Sequence, residues 1–177
     1  MILKSMNQTK NTILGLAALL LVFGGIVWFT NSGSSKNGTG GGASQSAGNL
    51  VAKETSYDFG TISMTNGKVT RSFEVKNDSA EPLRITKVYT SCMCTQALIK
   101  SAAGRQFGPF GMPGHGGALL SANIEVASGE TLMLDAIFDP AAHGPSGVGL
   151  AQRNVYIETN STKSPKLEFE FKAMVTR

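Results

Sequence analysis

The chain's two cysteines stand one residue apart, in Thr90-Ser91-Cys92-Met93-Cys94-Thr95. They follow a strand-like run, Leu83-Arg84-Ile85-Thr86-Lys87-Val88-Tyr89, and precede a stretch rich in Gly and Pro. In an extended chain residues i and i+2 point to the same side, so both sulfurs should face one spot. Three chemistries fit such a pair. Two thiolates can ligate a soft metal, although C-x-C is tighter than the usual zinc spacing. The pair can close a disulfide, but straight-strand Cα atoms stand about 6.6 Å apart, near the upper limit of disulfide geometry. Or the thiols stay free, which exposes them to oxidation outside the cytoplasm.

Both histidines lie in loops: His115 within Gly108-Pro109-Phe110-Gly111-Met112-Pro113-Gly114-His115-Gly116-Gly117, and His143 within Asp139-Pro140-Ala141-Ala142-His143-Gly144-Pro145. If consecutive strands alternate in direction, Met64, Cys92, Met93, Cys94, Met112, His115 and His143 all gather at one end of the domain. The soft-metal expectation is therefore copper or zinc on Cys92, Cys94, His115 and His143, with help from Met112. Each histidine also reads as an ordinary surface loop residue, and Met133 and Met174 as ordinary strand residues.

Other chemistry finds little support. The chain has no G-x-S-x-G, H-E-x-x-H, P-loop or dinucleotide fingerprint. Asp58, Asp135 and Asp139 are available to pair with a histidine, yet no serine is marked as a nucleophile. A thiol oxidoreductase would normally bring a βαβ context, which the pattern lacks. No enzyme activity is expected.

The elements that position these residues begin at Leu50, where the pattern takes period two. Val69, Phe73 and Val75 alternate with polar residues, as do Leu83 and Ile85. Leu132, Leu134, Ala136 and Phe138 share one face, and Val155 and Ile157 another. Leu167, Phe169, Phe171, Ala173 and Val175 alternate with Lys166, Glu168, Glu170, Lys172 and Thr176. Alternation of this kind predicts half-buried strands. Turn signals at Thr65-Asn66-Gly67, Asn77-Asp78, Ser128-Gly129 and Asn160-Ser161 separate them. About seven short strands predict an all-β, Ig-like antiparallel β-sandwich.

Upstream, Ile13–Phe29 holds no charged residue. As a helix it spans about 25 Å, and Thr12 and Thr30 extend it towards the ~30 Å hydrocarbon core. Trp28 and Phe29 suit an interface anchor, and Lys4 and Lys10 ahead of the run place the N-terminus in the cytoplasm. A cleaved signal peptide would have a shorter apolar run and a small-x-small cleavage site. The expected order is a cytoplasmic tail (1–11), a transmembrane signal anchor (12–30), a flexible Gly/Ser-rich linker (31–49) reaching roughly 25 Å, and an extracytoplasmic domain (50–177). From Leu50 onward there are 13 Lys/Arg against 12 Asp/Glu, so the basic excess belongs to the N-terminus. With no basic cluster on the domain, nucleic-acid binding is not expected.

The order of motifs resembles a bacterial family. Tyr57-Asp58-Phe59-Gly60-Thr61-Ile62 comes first, then Phe73-Glu74-Val75-Lys76-Asn77, Pro82-Leu83-Arg84-Ile85, Ser91-Cys92-Met93-Cys94-Thr95 and Phe138-Asp139-Pro140. This is similar to the domain-of-unknown-function family 1573, with its Y-D-F-G-x-I start and S-C-x-C-T motif. The resemblance implies an exported, often membrane-anchored domain similar to Ig-like domains of the major-sperm-protein and ASH type, and implies no activity. The Gln106–Leu120 stretch and the stretch after Phe138 are longer than the family pattern. The functional expectation is a non-catalytic envelope module that binds another envelope protein, with soft-metal binding or delivery as the alternative.

Overall fold

The computed structural model describes residues 44–115 and 121–177. The expected cytoplasmic tail, transmembrane anchor and most of the linker lie outside the described residues. Among the described residues no helix is long and apolar enough to cross a membrane.

Among the described residues, ten strands form two five-stranded sheets. They are β1 (Leu50–Ala52), β2 (Ser56–Ser63), β3 (Val69–Asn77), β4 (Leu83–Thr90), β5 (Thr95–Ser101), β6 (Gln106–Phe110), β7 (Ser121–Val126), β8 (Thr131–Phe138), β9 (Gly149–Thr159) and β10 (Lys166–Thr176). One sheet has the order β1-β3-β8-β5-β6, the other β2-β10-β9-β4-β7. Inward residues of both sheets meet in a single apolar layer. Phe73, Val75, Leu134, Ala136 and Phe138 come from one sheet; Ile85, Val155, Phe169, Phe171 and Val175 come from the other. The rings of Phe73 and Phe169 pack with centroids 5.2 Å apart, and those of Phe138 and Phe171 5.4 Å apart. All ten residues were legible as inward positions from period-two spacing.

Three strands were not. β5 buries Thr95, Ala97, Ile99 and Ser101, a face too small and polar to mark itself in the sequence. β6 carries Gly108-Pro109 and lay inside what read as an inserted loop. β1 has three residues. The missed β5–β6 hairpin adds two reversals of direction, so the alternation argument for the later loops survives. The expected all-antiparallel arrangement needs one correction: β2 runs parallel to β10, because the chain enters β3 in the opposite sheet rather than folding back on β2. Gly60, at φ 66°, takes up a register slip in that pair where a side chain would strain the backbone.

The linker boundary also moves. Residues 44–49 are bound to the sandwich rather than free of it. Ser46 bridges Ser161, its Oγ donates to the Pro82 carbonyl at 2.6 Å, and Asn160 Nδ2 donates to the Ser44 carbonyl at 2.6 Å. A Cβ on Gly48 would come within 2.8 Å of Leu83 Cβ, so this close approach needs glycine.

Candidate functional site

At the end of the sandwich remote from Ser44, β4 stops at Thr90 and β5 starts at Thr95. The four residues between are not extended. The Thr95 amide donates to the Cys92 carbonyl at 3.1 Å, closing a turn. Thr90 Oγ1 braces it from inside, donating to the carbonyls of Cys92 (3.0 Å) and Thr95 (3.1 Å). Asp139, leaving β8, donates its amide to the Cys94 carbonyl at 2.9 Å. The premise of a straight strand is thereby corrected. The turn shortens the Cys92–Cys94 Cα separation to 5.3 Å, and the two sulfurs are joined as a disulfide.

Each sulfur has a polar neighbour from elsewhere in the chain. His143 Nε2, in the β8–β9 connection, lies 3.2 Å from Cys92 Sγ. Arg153, an inward residue of β9, donates Nε–H to Cys94 Sγ at 3.2 Å. Its Nη1 is held by the Gln152 carbonyl at 2.8 Å. The Cys94 amide also points at Cys92 Sγ, at 3.3 Å. Cys92 is half-buried, Cys94 is buried, and Met93 between them is 53% exposed.

Of the expected metal ligands, the structure brings together Cys92, Cys94 and His143, whose ligand atoms all lie within 4.8 Å of one another. His115 is not in that group; it is exposed on the β6–β7 connection, its amide donating to the Met112 carbonyl at 3.3 Å. Met112 is half-buried in the same connection, which leaves the β6 end through a bond from the Thr90 amide to the Gly111 carbonyl. As long as the disulfide stands, the pair offers no thiolate, the form in which cysteine ligates metal. Met64 does reach this end, packed against the core after β2.

The aspartates pair elsewhere. Asp135 is buried between Lys100 Nζ (2.7 Å) and Ser72 Oγ (2.5 Å). Asp58 accepts from the Gly60 amide at 2.8 Å and Asp139 from the Ala141 amide at 3.0 Å. Sequence reasoning missed Arg153, whose one signal is a charge at an inward position of a period-two strand.

A second feature lies on the outer face of the β9–β10 pair at the same end. Leu150 and Met174 are cross-strand partners, 67% and 45% exposed, and Val148 at 45% precedes them. Apolar residues scattered singly over a surface are ordinary, but adjacent ones at this exposure form a patch.

Fold and site together define an all-β sandwich domain with a disulfide-tied turn at one end. The family model described as a protein of unknown function (DUF1573) matches residues 50–105, which run from β1 through the disulfide turn to the β5–β6 turn; the resemblance holds over that stretch. No curated protein matches the chain. Among solved structures, a protein of unknown function from Porphyromonas gingivalis W83 is similar at TM-score 0.52 and 20% identity, covering 78% of this chain. The match covers 51% of that protein, so the chain spans about half its length. The VesB protease of Vibrio cholerae is similar at TM-score 0.47 and 14% identity, over 72% of this chain and 32% of that one. The ASH/PapD-like domain 7 of human CEP192 is similar at TM-score 0.45 and 13% identity, over 82% of this chain and 96% of that one.

Proposed function

We propose that this chain is a non-catalytic, membrane-anchored extracytoplasmic module, an Ig-like sandwich of the major-sperm-protein/ASH kind, that binds another protein of the cell envelope. The Leu150/Met174/Val148 patch carries this reading. Of the two binding routes open to such a sandwich, strand addition and face docking, the sheet edges disfavour the first. β1 has three residues, β6 carries Pro109, β2 is bulged at Gly60, and β7 is irregular around Asn123, which takes φ 48°. Short, bulged and proline-bearing edges are the usual devices against pairing with a further strand. On the outer face of β9–β10, Leu150 and Met174 stand side by side and exposed. Export is supported by Lys4 and Lys10 ahead of the apolar Ile13–Phe29 run. Leu150→Asp in the full chain should abolish partner binding without unfolding the domain, because this side chain already faces water. Binding that survives the substitution overturns the assignment of this face.

One observation favours a second reading. Reduction would leave two thiols beside His143, a donor set suited to copper or zinc with a further position open. The full chain as isolated should then bind neither metal, and the reduced chain about one equivalent, the simplest stoichiometry for one cluster. A reduced chain that binds no metal removes this reading.

A further inference from the structure

We infer that the Cys92–Cys94 disulfide is a site of thiol–disulfide exchange, attacked at Cys92 Sγ by a dithiol from outside the chain. The bond does little structural work. It closes a separation of two residues, and the stabilisation a disulfide gives through the unfolded chain grows with the loop it closes. The turn is held independently, by Thr90 Oγ1, the Thr95 amide and the Asp139 amide. Opening the bond therefore leaves the two sulfurs side by side and able to close again.

The surroundings divide the sulfurs into one that is reached and one that leaves. Cys92 is half-buried at the domain end, whereas Cys94 is 3% exposed. Displacement needs the attacking thiolate, the attacked sulfur and the departing sulfur roughly in line, so access at Cys92 makes Cys94 the leaving group. Arg153 Nε–H points at that sulfur from 3.2 Å, and Thr95 Oγ1 lies 3.8 Å from it. A neighbouring cation stabilises a thiolate, and a better-stabilised thiolate leaves faster.

In the first step a thiolate of the dithiol bonds to Cys92 Sγ, the Sγ–Sγ bond breaks, and its electron pair departs on Cys94 Sγ beside Arg153. In the second step the dithiol's other thiolate attacks the dithiol sulfur already bonded to Cys92, forming the dithiol's own disulfide and breaking the bond to Cys92 Sγ. Cys92 Sγ then leaves as a thiolate next to His143 Nε2, which is within hydrogen-bonding reach at 3.2 Å. Two electrons pass from the dithiol to the cysteine pair, the dithiol becomes a disulfide, and its two protons end on the cysteine sulfurs. Arg153 and His143 are positioning residues here; the reacting atoms are the sulfurs.

The test uses the full chain in detergent, folded throughout. Dithiothreitol should reduce the disulfide without denaturant and with little change in melting temperature. Glutathione trapped by acid quenching should be found on Cys92 by peptide mass mapping. Arg153→Gln should slow reduction about tenfold, while Arg153→Lys, which keeps the charge, should stay within about threefold of the parent rate. A disulfide that is reduced only after unfolding overturns the proposal, as does glutathione found on Cys94. So does an Arg153→Gln chain that is folded by circular dichroism yet reduced at the parent rate. The mapping on the parent chain needs no variant, so a misfolded substitution does not shelter the proposal.

Discussion

Arg153 Nε and Cys94 Sγ, 59 residues apart in sequence, meet at 3.2 Å across the end of the sandwich. The contact ties an inward position of β9 to the turn through which the chain passes from β4 in one sheet to β5 in the other. The half-buried guanidinium donates from Nη1 to the Gln152 carbonyl at 2.8 Å while its Nε serves the sulfur.

Phe171 should be the most sensitive core position. It is 1% exposed, with the ring of Phe138 at 5.4 Å and that of Phe59 edge-on at 5.6 Å. Phe171→Ala should cost about 3–5 kcal/mol in urea unfolding. Phe171→Asp should cost at least as much, because it buries an unpaired charge. An unchanged melting temperature would remove Phe171 from the core.

Asn77 holds the opposite end. It is fully buried, and its Nδ2 donates to the carbonyls of Glu81 (2.8 Å), Val126 (3.2 Å) and Ala127 (3.1 Å). Its Oδ1 accepts from Ser79 Oγ at 2.6 Å. One side chain thus joins the β3–β4 turn to the β7–β8 turn. Asn77→Ala removes these buried bonds and should destabilise the domain by about 2–3 kcal/mol. Denaturant midpoints within error of the parent's would contradict this role.

Glu158 gives the expected pH dependence. A hydrogen bond from Lys87 and another from Tyr89 hold its carboxyl below the ordinary glutamate range, against the opposing effect of burial. A depressed folded-state value means that the contribution is complete above the unfolded range and lost as pH falls through the folded value. The pair is partly exposed, so the effect should stay below about 1 kcal/mol. Glu158→Gln should flatten this part of the acid limb in a melting-temperature series against pH. An identical limb in the variant would assign the effect elsewhere.

Large inward side chains made most of the fold legible. In β10, Leu167, Phe169, Phe171, Ala173 and Val175 stand against charged neighbours, and the period shows at a glance. In β5 the inward residues are Thr95, Ala97, Ile99 and Ser101, and their burial depends on neighbours that local composition does not reveal. The site was legible in part for the same reason. Strand direction was enough to bring His143 to the cysteines, since the missed hairpin preserved the alternation. The bonded state of the sulfurs was not legible, because Ser91–Cys94 leaves the extended conformation. Nor was Arg153, whose partner lies in the turn between β4 and β5.

Topology is the expectation that lies outside the described residues. A reporter joined after Arg177 should be active only outside the cytoplasm, and the full chain should pellet with membranes, given Lys4 and Lys10 ahead of the apolar run. A soluble mature form beginning near Thr30 would show a cleaved signal peptide instead.

The interaction reading is tested most directly by site-specific photo-crosslinking of the full chain in its own cells. The crosslinker is placed in turn at Leu150, at Met174, and at Met133, which is 36% exposed on the other sheet. The account predicts one discrete adduct, to the same exported protein, from Leu150 and Met174, absent from Met133 and lost when Val148→Asp is added. No adduct from either β9–β10 position, or the same adduct from Met133, would contradict it.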